Sequence, residues 1–267
     1  MTSRSDVIPA QAGIQFVEIP AGRIECLDIP ATGDTPPILM LHEGLGCVSM
    51  WRDFPFTLAR ATGSRVVAYS RLGFGRSSPR ASPYSPRFIH EEAHDTIPVL
   101  REHFGLGNPV LLGHSTGASM ALVHAGAGRW PVAGVVAMAP LTTVEGSNVA
   151  SIKSARSLYE TTAWREKLAR HHDDVDAVFY GWNDTWLREE FRRWNILDDL
   201  RRVRSPVLAI LGESDEYSTP AQVAAIAECM PTPARFEALL LEGCGHAPHR
   251  DQPDAVIASV GKFLLAV

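Results

Sequence analysis

The chain is expected to adopt an α/β fold, a mostly parallel sheet flanked by helices. Two observations carry that expectation. Short apolar runs bounded by turn residues alternate with longer segments of helical spacing, the pattern left by parallel strands joined through crossover helices. The 267 residues, 45% of them hydrophobic and 21% charged, also suffice for one large domain with a full core.

The elements follow in order. Residues 1–15 are polar and lack periodicity, so they read as a flexible N-terminal extension. Residues 16–19 and 23–29 read as a hairpin around Pro20-Ala21-Gly22. Further strands are expected at residues 37–41, 65–69, 110–112, 132–138, 207–211 and 235–241. Residues 50–61, 87–104, 116–127 and 220–230 have helical length and spacing, and residues 253–265 close the chain as an amphipathic helix. Residues 16–140 and 201–267 would form the core of the fold.

Between residues 141 and 200 the alternation stops, and this stretch reads as helices inserted after the sixth strand. Helices are expected at residues 151–159, 162–171, 175–188 and 191–200, with breaks at Gly181 or near Asn183 and Asn195. Trp164, Tyr180, Trp182, Trp186 and Trp194 concentrate here. Such rings are packing elements of a small core or, alternatively, line a pocket from above.

A net charge of −5 and a pI near 6.1 argue against nucleic acid or an anionic membrane as partner. Arg201, Arg202 and Arg204 read as a solvated helix end. No apolar run approaches the roughly 18 residues of a membrane span, and the N-terminus has no signal-peptide core, so a cytoplasmic protein without a membrane partner is expected. Cys26, Cys47, Cys229 and Cys244 lie far apart and are expected to be free, mostly buried thiols. His171-His172-Asp173-Asp174 reads as a solvated helix end, since adjacent helical residues diverge by about 100° and do not converge on a metal. Gly73-Phe74-Gly75 lacks the third glycine of a dinucleotide fingerprint, so neither metal nor cofactor is expected.

The chemistry centres on Gly113-His114-Ser115-Thr116-Gly117, where an apolar run meets a serine flanked by glycines two residues away on each side. Such a serine sits on a strained strand-to-helix turn, and the small flanking residues let strand and helix close around it. A serine hydroxyl needs a base within hydrogen-bond reach, itself oriented by an acid. The strand at 207–211 runs into Gly212-Glu213-Ser214-Asp215-Glu216, and the strand at 235–241 into Glu242-Gly243-Cys244-Gly245-His246. Asp215 and His246 thus stand just past strand ends, where ligands bind in open α/β sheets. Glu213, Glu216, Asp198 and Asp199 are rival acids, and His249 is the rival base.

The order Ser115, Asp215, His246, together with Leu41-His42-Glu43-Gly44-Leu45-Gly46 and the segment from Tyr69 through Gly73-Phe74-Gly75 to Ser77, resembles the α/β-hydrolase superfamily, in its serine-nucleophile branch. The resemblance implies an eight-stranded sheet with a helical cap and a carboxylesterase-like activity on a small-molecule ester, thioester or lactone. It selects Asp215 over Glu213 and Glu216, because the acid follows a glycine and two residues. It implies a backbone oxyanion hole, with the N–H of Thr116 as one donor and that of Gly44 or Leu45 as the other, Gly44 being favoured. Glu43 stands where the family more often has glycine. It reads as a structural carboxylate or as a group that positions substrate, with Leu45, Trp182 and Trp186 as further substrate contacts. A C–C bond hydrolase is the neighbouring activity, for which Arg71 and Arg76 would offer the cation. A non-catalytic ligand receptor is the rival class. Haloalkane dehalogenases and epoxide hydrolases of this fold need an aspartate where Ser115 stands. The surface of the insertion offers a contact for a homodimer.

Overall fold

The structure is a computed structural model and describes residues 13–81 and 83–267. β1 (Gly13–Ile19) and β2 (Gly22–Ile29) pair antiparallel in a hairpin. β3 (Ile38–Leu41), a 3₁₀ turn (Val48–Trp51), α1 (Phe54–Thr62) and β4 (Val66–Tyr69) follow. Then come α2 (Phe88–Glu91), a π segment (Glu92–Thr96), α3 (Ile97–His103), β5 (Val110–His114), α4 (Thr116–Gly126) and β6 (Gly134–Met138). Four helices separate β6 from the next strand: α5 (Gly146–Thr161), α6 (Trp164–Ala169), α7 (Val175–Leu187) and α8 (Leu197–Leu200). The chain closes with β7 (Val207–Gly212), α9 (Pro220–Cys229), β8 (Phe236–Leu241), α10 (Pro248–Asp251) and α11 (Pro253–Leu264).

The eight strands form one sheet in the order β1-β2-β4-β3-β5-β6-β7-β8. β2 meets β4 antiparallel, and every pairing from β4 to β8 is parallel. The strands from β3 to β7 are buried on both faces, as parallel strands covered by crossover helices must be. On one face α1 and α11 bring Phe54, Leu58, Val256, Val260 and Phe263 onto the sheet. On the other, α4 contributes a helix buried along its whole length. Each such apolar side chain, fully buried, is worth roughly 1.5–3 kcal/mol.

Several expectations are corrected. β1 begins at Gly13, so only residues 1–12 of the expected extension lie outside the described residues. The helix expected at 50–61 is divided into a 3₁₀ turn and α1, and that at 87–104 contains a π segment ahead of Pro98. Proline has no N–H to give the preceding turn, and a wider turn accommodates the loss. α7 runs unbroken through Gly181 and Asn183, because the Asn183 amide is buried and donates to Ile152 O at 2.7 Å instead of turning the chain. The helix expected at 191–200 is a 3₁₀ turn (Glu189–Arg193) followed by α8, with Asn195 between them bridged to Thr143. The run at 171–174 is not simply solvated. His172 is buried, accepts the Gly75 N–H at 3.0 Å and donates to Leu45 O at 2.9 Å, and burial pushes its pKa down to about 4. All four cysteines are free, and Cys26, Cys47 and Cys244 are buried.

Candidate active site

Ser115 sits between the last residue of β5 and the first of α4, with φ 53° and ψ −118°. A non-glycine residue at positive φ costs about 1–2 kcal/mol and persists only where the surroundings enforce it. Here the neighbours do so. A Cβ on Gly113 would stand 2.5 Å from the Ala118 Cα, and one on Gly117 would stand 2.7 Å from His42 O and closer still to the Leu41 carbonyl. The Ser115 N–H is fixed by Met138 O at 2.8 Å.

Asp215 and His246 come together from the loops after β7 and β8. His246 Nδ1 lies 2.8 and 2.9 Å from the two Asp215 carboxylate oxygens. One of those oxygens also accepts the N–H groups of Tyr217 and Ser218, at 2.8 and 2.9 Å. Burial acts to raise the Asp215 pKa, but the His246 hydrogen bond and charge, with those two amides, outweigh it and hold it below the ordinary aspartate value. The rival acid Asp199 is engaged elsewhere, with His90 at 2.9 Å and Arg202 at 2.6 Å. The rival base His249 is buried against Trp51 and Phe54, and burial first, then the His114 charge, drives its pKa well below the usual histidine value.

The loop after β3 is held by two side chains. Arg71, itself buried, donates to His42 O at 2.6 Å and to Glu43 O at 2.8 Å. His42 donates from Nδ1 to Glu43 O at 2.8 Å and accepts the Arg71 N–H at Nε2, at 3.1 Å. Burial, then the Arg71 charge, keeps this imidazole neutral by pushing its pKa well down. Gly46 N–H turns back to Glu43 O at 3.2 Å, while the amides of Gly44, Leu45 and Thr116 have no backbone acceptor among the described residues. These are the three amides named from the sequence as oxyanion donors. Against Gly44 lies the indole of Trp182, whose Cδ1 would be 2.5 Å from a Cβ there.

One cavity of about 180 Å³ is lined by Ser115, His246, Thr116, Glu43, Gly44 and Leu45. Its remaining wall includes Trp182 and Trp186 of α7, Trp164 and Leu168 of α6, and Ile152 of α5. The structure therefore brings Ser115, His246, the oxyanion candidates and the expected substrate contacts to one space, with Asp215 behind His246 and outside the lining, and with Trp186 almost wholly enclosed and shaping the wall from behind. Sequence reasoning missed Ile152 and Leu168, and also Met50, Leu141, Asn148, Tyr217 and Arg250, which complete the lining. Arg250 had the one usable signal, four residues after His246 in the chain, on α10. The arginines favoured from the sequence are committed otherwise, Arg71 to the loop after β3 and Arg76 to an ion pair with Asp173.

Glu43 is the unusual lining residue. Its Oε2 faces His114 Nδ1 at 3.6 Å, and its Oε1 is 4.0 Å from Arg250, which donates to Met50 O at 3.1 Å. Burial would raise its pKa, but the interaction with His114 and the charges of His114, His42 and Arg250 win and hold it well below the usual glutamate value. It is an anion beside the candidate nucleophile.

A parallel-dominated sheet with a strained serine after its central strand, and an Asp–His pair past the last two, defines a hydrolase of the α/β class. The chain belongs to the alpha/beta hydrolase family, whose model matches residues 38–259. It is 24% identical over 263 residues to a proline iminopeptidase of Lactobacillus delbrueckii subsp. bulgaricus, covering 84% of this chain and 88% of that protein. It is 36% identical over 93 residues to the human (lyso)-N-acylphosphatidylethanolamine lipase, a stretch that is 34% of this chain and spans only about a quarter (26%) of the lipase. A thermophilic esterase from Thermogutta terrifontis has the same fold, with a TM-score of 0.70 at 22% identity over 96% of this chain and 99% of the esterase. No helix among the described residues is long and apolar enough to cross a membrane.

Proposed function

We propose that the protein is a cytoplasmic serine hydrolase that cleaves a small or medium carboxylic ester, thioester or lactone through an acyl-enzyme. Ser115 Oγ attacks the carbonyl carbon while His246 takes its proton, and Asp215 holds the imidazole in the tautomer that presents its free nitrogen to the serine. The amides of Thr116 and Gly44 receive the oxyanion. As the tetrahedral intermediate collapses, the leaving oxygen or sulfur departs with the proton from His246. Water then attacks the acyl carbon, His246 takes a proton from it, and Ser115 leaves reprotonated with release of the acid.

The observation that carries this reading is His246, held from behind by Asp215, opening with the strained Ser115 onto the same cavity. The largely apolar walls suit an acyl group of modest size, with Leu45, Trp182 and Trp186 limiting its length. On this reading α5 to α8 act as a cap.

A fluorophosphonate probe tests the nucleophile. Labelling is expected at Ser115 and is expected to vanish in His246→Ala; an unlabelled wild-type protein, or labelling indifferent to His246→Ala, refutes the mechanism. A panel of p-nitrophenyl esters of graded chain length, acyl thioesters and dienoic diketo acids then tests the substrate class. Turnover confined to the diketo acids would replace ester cleavage with C–C cleavage.

A further inference from the structure

His114 precedes the candidate nucleophile, and its imidazole is buried where three loops meet. Its Nε2 is 2.6 Å from the backbone carbonyl oxygen of His246. A carbonyl only accepts, so Nε2 carries a proton and donates it. On the opposite side Nδ1 faces Oε2 of Glu43 at 3.6 Å and has no hydrogen-bond partner among the described residues. That separation is too long for a hydrogen bond, and the attraction is Coulombic. The ring plane is fixed by an edge-on contact with His249 at 4.9 Å and by Trp51 at 6.3 Å. One ring therefore joins the serine turn, the loop after β8 and the loop after β3.

We propose that His114 is a positioning residue for His246, fixing the backbone of the base relative to Ser115, and that Glu43 acts through His114 as the carboxylate facing its ring. This deepens the hydrolase reading and rests on it. Asp215 constrains the His246 ring only at Nδ1, and the residue sits in a glycine-flanked loop outside regular structure. The His114 bond supplies the second constraint, and it comes from the residue covalently attached to Ser115. The Glu43 carboxylate facing Nδ1 polarises the ring along the line of its Nε2–H, which strengthens the bond donated to the His246 carbonyl. The other ionisable groups facing the pair are Arg250 beside Glu43, His249 and the His246 ring against the imidazole, and His42 behind the Glu43 carbonyl. His42 and His249 are kept neutral chiefly by burial, which leaves Glu43 as the anion that His114 meets.

A double-mutant cycle tests the proposal on the full chain, with the best substrate of the ester panel. Glu43→Gln is expected to lower kcat about five-fold with KM within about two-fold, the strengthening lost when the facing carboxylate becomes a neutral amide. His114→Gln, whose amide can still reach the carbonyl, is expected to lose about as much. The double variant is expected to lose little more than either alone. His114→Leu, with no donor, is expected to lose about 30-fold or more, so His114→Gln counts as rescue by the conservative variant. If Glu43→Gln costs the same factor in both backgrounds, or acts through KM, Glu43 does not work through His114. The hydrogen bond is also read without catalysis, as a slowly exchanging His114 Nε2 proton in histidine ring ¹H–¹⁵N spectra that shifts in Glu43→Gln. A fast-exchanging proton overturns the positioning role. An unlabelled Ser115 in the wild type overturns the hydrolase reading instead, and the spectra still decide on the bond.

Discussion

Replacing Gly117 by alanine should cripple the site without touching any residue proposed for the chemistry. The added Cβ would stand 2.6 Å from the Leu41 carbonyl carbon and 2.7 Å from His42 O. Carbon–oxygen contacts of this kind settle near 3.3–3.6 Å, and the Leu41 carbonyl oxygen is nearer still, so α4 and the end of β3 must separate by about 1 Å. Both obstacles are backbone, which no rotamer change relieves. Overpacking of this sort costs about 1–3 kcal/mol, and contact with backbone puts it at the upper end, about 3 kcal/mol. For a chain of this size that lowers Tm by about 6–10 °C. The same displacement parts the Thr116 amide, on α4, from the Gly44 amide, on the loop after β3. A misfit approaching 1 Å between such groups costs about 100-fold in rate. Thermal unfolding and kcat/KM on the best ester, measured side by side, check both numbers. A variant with activity within three-fold of wild type would refute the argument that close packing of α4 on the loop after β3 sets the oxyanion donors.

The opposite substitution result is expected at Gly261 in α11, where an added Cβ meets nothing within 4 Å. Gly261→Ala should stabilise the protein by about 0.5–1 kcal/mol with activity unchanged, and a fall in Tm would show that the helix interior is not open there. For Asp215 the sign follows from a folded-state pKa lowered below the unfolded one. Its contribution to stability is fully present above the unfolded value and is lost as pH falls through the folded value. Urea midpoints between about pH 5 and pH 2 should therefore fall less steeply in Asp215→Asn than in wild type. The same variant should lose about 10³-fold or more in kcat at neutral pH, because asparagine no longer selects the His246 tautomer. Unchanged acid sensitivity together with retained activity would remove Asp215 from its assigned role.

The parts of the fold that were legible from sequence are those set by local chemistry. Gly113 to Gly117 could be read because a serine at positive φ demands small neighbours, and the Asp215 and His246 loops because each follows an unambiguous apolar strand. What escaped was decided at long range. The run at 171–174 looked solvated, yet His172 binds Gly75 and Leu45, roughly a hundred residues away in the chain. β1 extends back to Gly13 through backbone pairing with β2, while its side chains are mostly exposed and leave little hydrophobic signature. Arg250 and Asn148 belong to the cavity only because α10 and α5 are folded against it. Glu43 was noticed as a departure from the usual glycine, but its partners His114 and Arg250 lie 71 and 207 positions further along the chain (114 − 43 and 250 − 43).

The contact between Trp182 and Gly44 has a consequence for how such an enzyme can change. A ring proposed to set the length of the acyl group rests directly on a peptide proposed to hold the oxyanion. Widening the cavity at Trp182 withdraws support from that peptide, and tightening the peptide narrows the cavity. Selectivity and turnover therefore share one degree of freedom here. A lineage adapting to a bulkier substrate would be expected to spare Trp182 and vary Ile152, Trp164 or Leu168, wall positions on the neighbouring helices α5 and α6.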